Sequence, residues 1–321
     1  MRAILIEQPG GPERLRITDQ PDPSPGPGEI RVAVAAAGVN FMDTGTRRFG
    51  PPDGRVPVVP GVEGAGRVVE LGEGVTGLSV GDRVAWAYAY GSYAEQLVLP
   101  ADRAVPVPDD ITDEVAASIM LQGLTAHHFA TEAAPVSPGQ LTLVHAAAGG
   151  VGQNLVQLVK ARGGRVIGLV SSEPKADIAR AVGADEVLVS TGPDFVEPVL
   201  DLSGGEGVHT VFDGAGETTF HASMKVLRRN GTLLYFGPLI GAVPTVNLRD
   251  LPHSVKVAYP VFHDHIPTKQ ALLRHTADLF GMVRDGRLKT RIGMRYPLAE
   301  AEQAHRDIES RATTGKLLLL P

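Results

Sequence analysis

Cysteine is missing from all 321 positions. Its absence excludes disulfides, thiolate zinc sites, iron–sulfur clusters and a cysteine nucleophile. No apolar run approaches the ~18 residues a membrane-spanning helix needs, so no membrane partner is expected. There is no basic run either. The net charge is −6, which argues against a nucleic-acid surface. The opening residues, Met1-Arg2-Ala3-Ile4-Leu5-Ile6-Glu7, form too short an apolar stretch for a secretion signal, and a cytoplasmic location is expected. Without such a signal, the Asn230-Gly231-Thr232 glycosylation pattern reads as coincidence. What is present is ordinary globular usage, 43% hydrophobic and 21% charged, over a length that suggests about two domains.

The N-terminal third reads as β structure. Ile4-Leu5-Ile6 and Leu15-Arg16-Ile17 are short strand candidates, and Glu29-Ile30-Arg31-Val32-Ala33-Val34 alternates polar and apolar side chains. Gly66-Arg67-Val68-Val69-Glu70-Leu71 and Asp82-Arg83-Val84-Ala85-Trp86 continue the series. Proline and glycine clusters at 21–28 and 49–61 punctuate it, as in a compact barrel-like domain. From residue 112 the rhythm changes. After a helix at 112–130, strands at 141–145, 165–170, 186–189, 208–212 and 232–236, with a sixth at 255–258, alternate with helices at 151–162, 174–182, 194–202 and 218–227. That alternation predicts a doubly wound parallel sheet. The tail departs from it, with helices at 268–285 and 299–309 and an apolar strand at 316–320, and is expected to return to the first domain.

Ala147-Ala148-Gly149-Gly150-Val151-Gly152 follows the first parallel strand and opens an amphipathic helix. It fits the dinucleotide fingerprint with Ala147 in place of the first glycine. Gly149 lets the backbone approach a pyrophosphate, and Gly152 lets helix and strand pack closely. The helix N-terminus offers free N–H groups and the positive end of its dipole. Ala148, Gly149, Gly150, Val151 and Gly152 are therefore candidate cofactor-binding residues. The alternative is a glycine-rich turn without a ligand, and the βα units that follow count against it. The end of the second strand chooses between cofactors. An acidic side chain there would hold the ribose diol of NADH. The sequence has Ser171-Ser172 with Lys175 shortly after, a hydroxyl pair plus a cation suited to the 2′-phosphate of NADPH. NADPH is expected over NADH, against the alternatives that Glu173 turns inward or that Lys175 is merely solvated.

Several blocks resemble the zinc-free quinone oxidoreductase (zeta-crystallin-like) branch of the medium-chain dehydrogenase/reductase superfamily. They are Ala37-Gly38-Val39-Asn40-Phe41-Met42-Asp43, Gly61-Val62-Glu63-Gly64-Ala65-Gly66, Val80-Gly81-Asp82-Arg83-Val84, Gly91-Ser92-Tyr93-Ala94-Glu95, the 145–152 cradle and Glu309-Ser310-Arg311-Ala312-Thr313. They run in family order over essentially the whole chain. The resemblance implies an α/β protein with a GroES-like β-barrel catalytic domain over 1–117 and 262–321. A Rossmann doubly wound parallel sheet would occupy 118–261. It also implies a homodimer or homotetramer that pairs through the nucleotide domain, a homodimer being expected, with 232–236 and the strand near Val255 close to the dimer edge.

Zinc-dependent members of the superfamily use a cysteine and a Gly-His-Glu segment as ligands. Here Gly61-Val62-Glu63 stands at that segment and cysteine is absent, so no metal is expected. Without a Lewis acid, oxidation of an ordinary alcohol lacks its alkoxide stabiliser. A conjugated acceptor instead spreads the incoming charge over an enolate or quinol oxygen. By resemblance, Asn40 and Thr125 are the candidate catalytic residues. Asn40 would hydrogen-bond near the nicotinamide ribose or the acceptor oxygen, and Thr125 would touch the carboxamide. Asn40 as a plain turn residue is the alternative. Phe236 and Gly237 would lie along the nicotinamide half, Ser190 would border the adenine phosphate, and Asp43 would tie the loop to its own backbone.

The sequence also departs from the family. Gly45 and Pro51 replace pocket aromatics, and Tyr259 takes a position often held by arginine. Gly45, Phe49, Trp86 and Tyr259 are candidate substrate-pocket residues, and Tyr88, Tyr90 and Tyr93 are further aromatics available to reline the pocket. Core packing is the simpler reading for each aromatic.

Three signals are set aside. Gly77-Leu78-Ser79-Val80-Gly81 matches a hydrolase nucleophile pattern, but a strand rather than a helix follows it. His263-Asp264-His265 is a weak metal signal in a segment expected to be an exposed loop. His127 or His128 is an alternative proton donor. The reading is an NADPH-dependent reductase that passes a hydride to a quinone or an α,β-unsaturated carbonyl compound without zinc. The alternatives are an enoyl-thioester reductase of a biosynthetic pathway, or a nucleotide-binding protein with little catalysis.

Overall fold

A computed structural model describes residues 1–237 and 244–321. The chain forms two compact units. The first comprises Met1–Leu124, Thr268–Arg284 and Thr290–Pro321, and the second Thr125–Pro267 and Asp285–Lys289.

The first unit begins with β1 (Arg2–Leu5) and β2 (Arg16–Asp19), which pair with each other. Then come β3 (Glu29–Val39), α1 (Phe41–Phe49), β4 (Glu63–Leu71), β5 (Arg83–Ala87), β6 (Gln96–Pro100) and β7 (Val105–Pro106). Ile30, Val32 and Val34 alternate inward along β3, as period-two patterning requires. Where β3 meets β4 the ladder is irregular in two places, and small residues fill the contact. A Cβ on Gly64 would stand 2.5 Å from the Trp86 ring and 2.9 Å from the Ala36 carbonyl. Trp86 itself is fully buried, and its indole N–H donates to Ser92 Oγ at 2.9 Å. That corrects its assignment to a substrate pocket: it belongs to a core with Ile4, Leu97, Leu99, Tyr93 and Leu319. Helix α1 is amphipathic but short, with glycine and threonine through its middle, and the sequence reading does not include it. It ends on Gly50, whose φ of 87° favours glycine.

The second unit takes over inside α2 (Asp113–His128), which continues as a single π-turn (Phe129–Ala133). It contains β8 (Leu141–His145), α3 (Gly150–Ala161), β9 (Arg165–Val170), α4 (Glu173–Ala181), β10 (Glu186–Val189), α5 (Val196–Leu202), β11 (Val208–Asp213), α6 (Glu217–Lys225), β12 (Leu227–Tyr235), β13 (Lys256–Ala258) and the short α7 (Phe262–His265). All pairings in its sheet are parallel, in the order β10-β9-β8-β11-β12-β13. The order reverses between β8 and β11, the place where open α/β sheets bind ligands at their carboxyl ends. Strand β12 starts earlier than its apolar stretch suggests. A register shift lets Leu227 and Thr232 both pair with β11, and Asn230 takes a left-handed φ of 63°.

The tail adds α8 (Lys269–Arg284), β14 (Ile292–Pro297), α9 (Ala301–Ser310) and β15 (Lys316–Leu320) to the first unit. Strand β15 inserts between β14 and β3, which explains its unbroken apolar sequence. The sequence places the divisions at 117/118 and 261/262, whereas contacts place them at 124/125 and 267/268. Helix α2 runs unbroken through the first division, so no turn residue marks it. The short 285–289 segment joins the second unit because Gln157 of α3 holds both the N–H and the C=O of Lys289.

Candidate active site

The glycine turn lies where β8 feeds α3. Gly149 is the N-cap residue of α3, with φ −78° and ψ 173°, a conformation open to any residue. Torsion angles therefore do not explain a glycine there. A Cβ would stand 3.1 Å from the Ala146 carbonyl and 3.9 Å from the Ala146 Cβ, and near nothing else. Gly152 differs. A Cβ there would press on the Ala146 carbonyl and come within 2.8 Å of Ala147 Cα, so glycine is needed for the helix to seat on the turn. Ala146 pays for the tight turn with a φ of 49°, unusual for a residue with a side chain. Gln153 braces the loop by donating to the Ala148 carbonyl at 2.7 Å. The amides of Gly150, Val151 and Gly152 open the helix, where N–H groups have no acceptor in the preceding turn. The result is a set of open amides at a helix N-terminus, a geometry suited to a phosphate.

Past β9, Lys175 Nζ donates to Ser171 Oγ at 3.1 Å, so the proposed cation and hydroxyl are adjacent. Ser172 is the N-cap residue of α4. Glu173, in the first turn of that helix, is exposed. Ser190 follows β10, and its hydroxyl is held inside its own turn by Gly192 and Asp194. At the end of β12, Phe236 N–H donates to the Asp213 carbonyl at 2.9 Å, and its ring packs 4.8 Å from Phe129. A Cβ on Gly237 would stand 2.6 Å from the Gly214 carbonyl, so the loops after β11 and β12 touch backbone to backbone. Thr125 is half-buried on α2, and Tyr259, just past β13, is 72% exposed.

In the first unit, α1 presents Phe41, Gly45 and Phe49 along one stripe. Both phenylalanines are exposed, and a Cβ on Gly45 would meet nothing within 4 Å. Beneath the helix lies a buried polar chain. Arg47 donates to His305 Nδ1 at 3.2 Å, and a guanidinium can only donate. His305 must then carry its proton on Nε2 and give it to the Tyr93 hydroxyl at 3.1 Å. Tyr93 in turn donates to Asp43 Oδ2 at 3.0 Å, and the Asn40 backbone N–H reaches the same oxygen at 2.8 Å. Every donor points at Asp43. Its tie to the local backbone was expected, but it serves the first turn of a helix rather than a loop. Burial lifts the Asp43 carboxyl to about 7 against these bonds, and burial with the Arg47 charge drops His305 to about 3.

The contribution of Asp43 to stability is full below the unfolded value of 3.8 and is lost as pH rises through about 7. Asp43→Asn mimics the protonated form. The variant should therefore gain on the wild type by up to ~4 kcal/mol between about pH 4 and pH 8 in urea unfolding. A difference that does not change with pH would show that Asp43 stays charged throughout.

Two clusters escaped the sequence. His265 is buried on α7 and not in an exposed loop, because Nδ1 meets Glu132 Oε2 at 2.7 Å and Nε2 meets His127 Nδ1 at 3.1 Å. Donor atoms of His128, Glu132 and His265 lie within 4.8 Å of one another. The His128 and His265 rings, however, are stacked at an interplanar angle of 14°. One ion cannot lie in two parallel ring planes, so the arrangement is a clasp between α7 and the end of α2. The second cluster is at the switch point. Asp213 accepts from Ala215 N–H, Thr219 and Ser223, while Ser223 also meets His145 Nε2 at 3.0 Å. Burial lowers the His145 pKa. The Ser223 hydroxyl proton is committed to a fully buried carboxylate, so this trio braces the strand ends and is not a hydrolytic triad.

The alcohol dehydrogenase GroES-like domain family matches residues 26–109, and the zinc-binding dehydrogenase family matches 150–272. A quinone oxidoreductase of Pseudomonas aeruginosa is 39% identical over 97% of each chain. A 2-haloacrylate reductase of a Burkholderia species is 34% identical over 99% of this chain and 98% of its own. A solved mycobacterial protein complexed with NADPH is 43% identical, with a TM-score of 0.96 over 100% of both chains.

Proposed function

The chain belongs to the quinone oxidoreductase branch of the medium-chain dehydrogenase/reductase superfamily, and from that premise we propose that it reduces quinones or α,β-unsaturated carbonyl compounds with NADPH. The observation that carries the reading is the run of open amides at the sheet's switch point, with glycine at position 149 where the torsions would suit any residue. The mycobacterial relative's NADPH and the quinone and haloacrylate names of the others support it. Bound NADPH supplies a hydride from its nicotinamide ring. The amides over 148–152 hold the diphosphate, Ser171, Ser172 and Lys175 receive the 2′-phosphate, and Ser190 borders the adenine side. Phe236, Gly237 and Thr125 orient the nicotinamide half. The acceptor takes the hydride and one proton from solvent to give a hydroquinone or a saturated carbonyl compound. Positioning and fixed dipoles supply the acceleration.

Consumption of NADPH with 1,4-benzoquinone, 9,10-phenanthrenequinone and simple enones tests the proposal, and no turnover with any of them rejects it. A crotonyl thioester preferred over all of these would favour the thioester reading, and tight NADPH binding without turnover would favour a binding protein. If the space at Gly45 admits the acceptor, Gly45→Tyr should lower kcat/KM for phenanthrenequinone by about tenfold more than for benzoquinone. Equal losses would remove Gly45 from the acceptor site.

The proposal extends to a homodimer. Among the described residues β13 pairs on one side only, with β12, and Val257, Tyr259 and Val261 are exposed beside it. Such an apolar edge invites a second copy, and sedimentation velocity would reveal a monomer if it does not. No described helix is long and apolar enough to cross a membrane. A chain without cysteine needs no oxidising compartment, in keeping with a cytoplasmic location.

A further inference from the structure

His145 ends β8 and Asp213 ends β11, the two neighbouring strands at the switch point of the second unit. Their ladder runs through Thr142–Thr210, Leu143–Val211 and Val144–Phe212, so these two residues stand one step beyond it. Side chains take over there. The Asp213 carboxylate, 0% exposed, accepts from the Ala215 N–H at 2.9 Å and from Ser223 at 2.8 Å, and the Thr219 hydroxyl lies 3.0 and 2.9 Å from its two oxygens. The single Ser223 proton goes to Asp213, so the 3.0 Å contact between Ser223 and His145 Nε2 needs a proton on that nitrogen. His145 serves as a neutral donor, with burial lowering its pKa, and its ring is held edge-on to Phe195 at 5.2 Å. This chain of bonds leads from β8 through α6 to β11. Each strand end also carries a loop. The glycine turn follows His145. Asp213 holds the other loop through its backbone: its carbonyl accepts from the Phe236 N–H at 2.9 Å, and a Cβ on Gly237 would stand 2.6 Å from the Gly214 carbonyl. Among the described residues, the hydrogen-bond donors to Asp213 are all neutral. A fully buried carboxylate without a cation is costly, and apolar side chains would end the two strands without that cost.

We propose that His145, Ser223 and Asp213 are positioning residues that fix the distance between the glycine turn and the 236–237 loop, so that one NADPH molecule spans both. The inference rests on the NADPH reading above. The three residues act through the two loops and not by touching the cofactor. A dinucleotide anchored at both ends binds tightly only when its anchoring loops already stand at the right separation, because a loose pair must be ordered on binding. A ligand that uses the glycine turn alone is indifferent to that separation. Direction matters as well: only a donor at the Nε2 position of His145 completes the chain.

Calorimetric titration with NADPH and with 2′-phospho-ADP-ribose, which has the diphosphate but no nicotinamide, tests this. Ser223→Ala and His145→Leu each break the chain. Each should weaken NADPH binding ~tenfold while the affinity for 2′-phospho-ADP-ribose changes less than ~twofold. His145→Gln sets an amide N–H near the place of Nε2 and should return NADPH affinity to within ~threefold of the wild type. Equal weakening of both ligands would mean that the trio supports the glycine turn alone. Unchanged NADPH affinity in the broken variants would mean that the loops keep their distance without it. An H145Q protein as weak as H145L would mean that the donor is immaterial. Each of these results overturns the inference. H145L and H145Q both replace the ring, so a general loss of packing is common to the two, and their difference decides the matter even if S223A melts too low to titrate. Wild-type protein that binds neither ligand overturns the cofactor reading and this inference together, whereas wild-type binding with unaffected variants overturns this inference alone.

Discussion

Gly149→Val is expected to weaken NADPH binding by about 100-fold while the melting temperature falls by no more than about 2 °C. The first half follows from the cradle. Branched carbons at position 149 would cover the amides that open α3, and losing about two hydrogen bonds to a charged phosphate at ~1.5–3 kcal/mol each accounts for the factor. The second half follows from local geometry. The residue has φ −78°, which valine adopts readily, and its Cβ meets only Ala146 at 3.1 Å and 3.9 Å. Gly152→Val is the contrasting control. Its Cβ would drive into the Ala146–Ala147 backbone, so stability itself should fall, by ~1–3 kcal/mol as overpacking does. Titration of cofactor fluorescence with calorimetric melting separates the two. A Gly149→Val protein that binds NADPH normally would show that the diphosphate lies elsewhere.

The double replacement Ser171→Ala with Lys175→Ala should raise KM for NADPH by ~30- to 100-fold and change KM for NADH by less than about twofold. Only the 2′-phosphate distinguishes the two cofactors, and the Lys175 ammonium lies 3.1 Å from the Ser171 hydroxyl, ready to share it. The Lys175 contact is charge-assisted and near solvent, so added salt should raise KM for NADPH in the wild type and have a smaller effect in the variant. A parallel rise for both cofactors would mean that the residues support the loop and do not read the phosphate.

Much of the second unit was legible because its determinants are local. The alternation of apolar runs and helical stripes, with glycines at 149 and 152, placed five parallel strands and the turn between β8 and α3 within a few residues. Errors arose where local signals were weak. Helix α1 carries glycine and threonine through its middle, and β14 is short with a glycine near its start. The domain divisions were missed because one falls within a continuous helix. His263-Asp264-His265, just before Ile266-Pro267, reads as an exposed loop, yet α7 turns His265 onto Glu132, which is 133 residues away in sequence.

The sequence by itself determined the fold class, the glycine turn between β8 and α3 and the absence of thiolate chemistry, because each depends on residue type and short-range spacing along the backbone. Tertiary structure alone decided what the side chains can do. Asn40 and Lys316 are 276 positions apart and meet only because β15 lies against β3. Arg47, on the same helix as Asp43, fixes the proton on His305 and through it the direction of the Tyr93 bond to Asp43, but His305 and Tyr93 reach that helix from distant parts of the chain. Hydrogen-bond direction and burial are set by neighbours brought in from distant segments, and no local pattern encodes them.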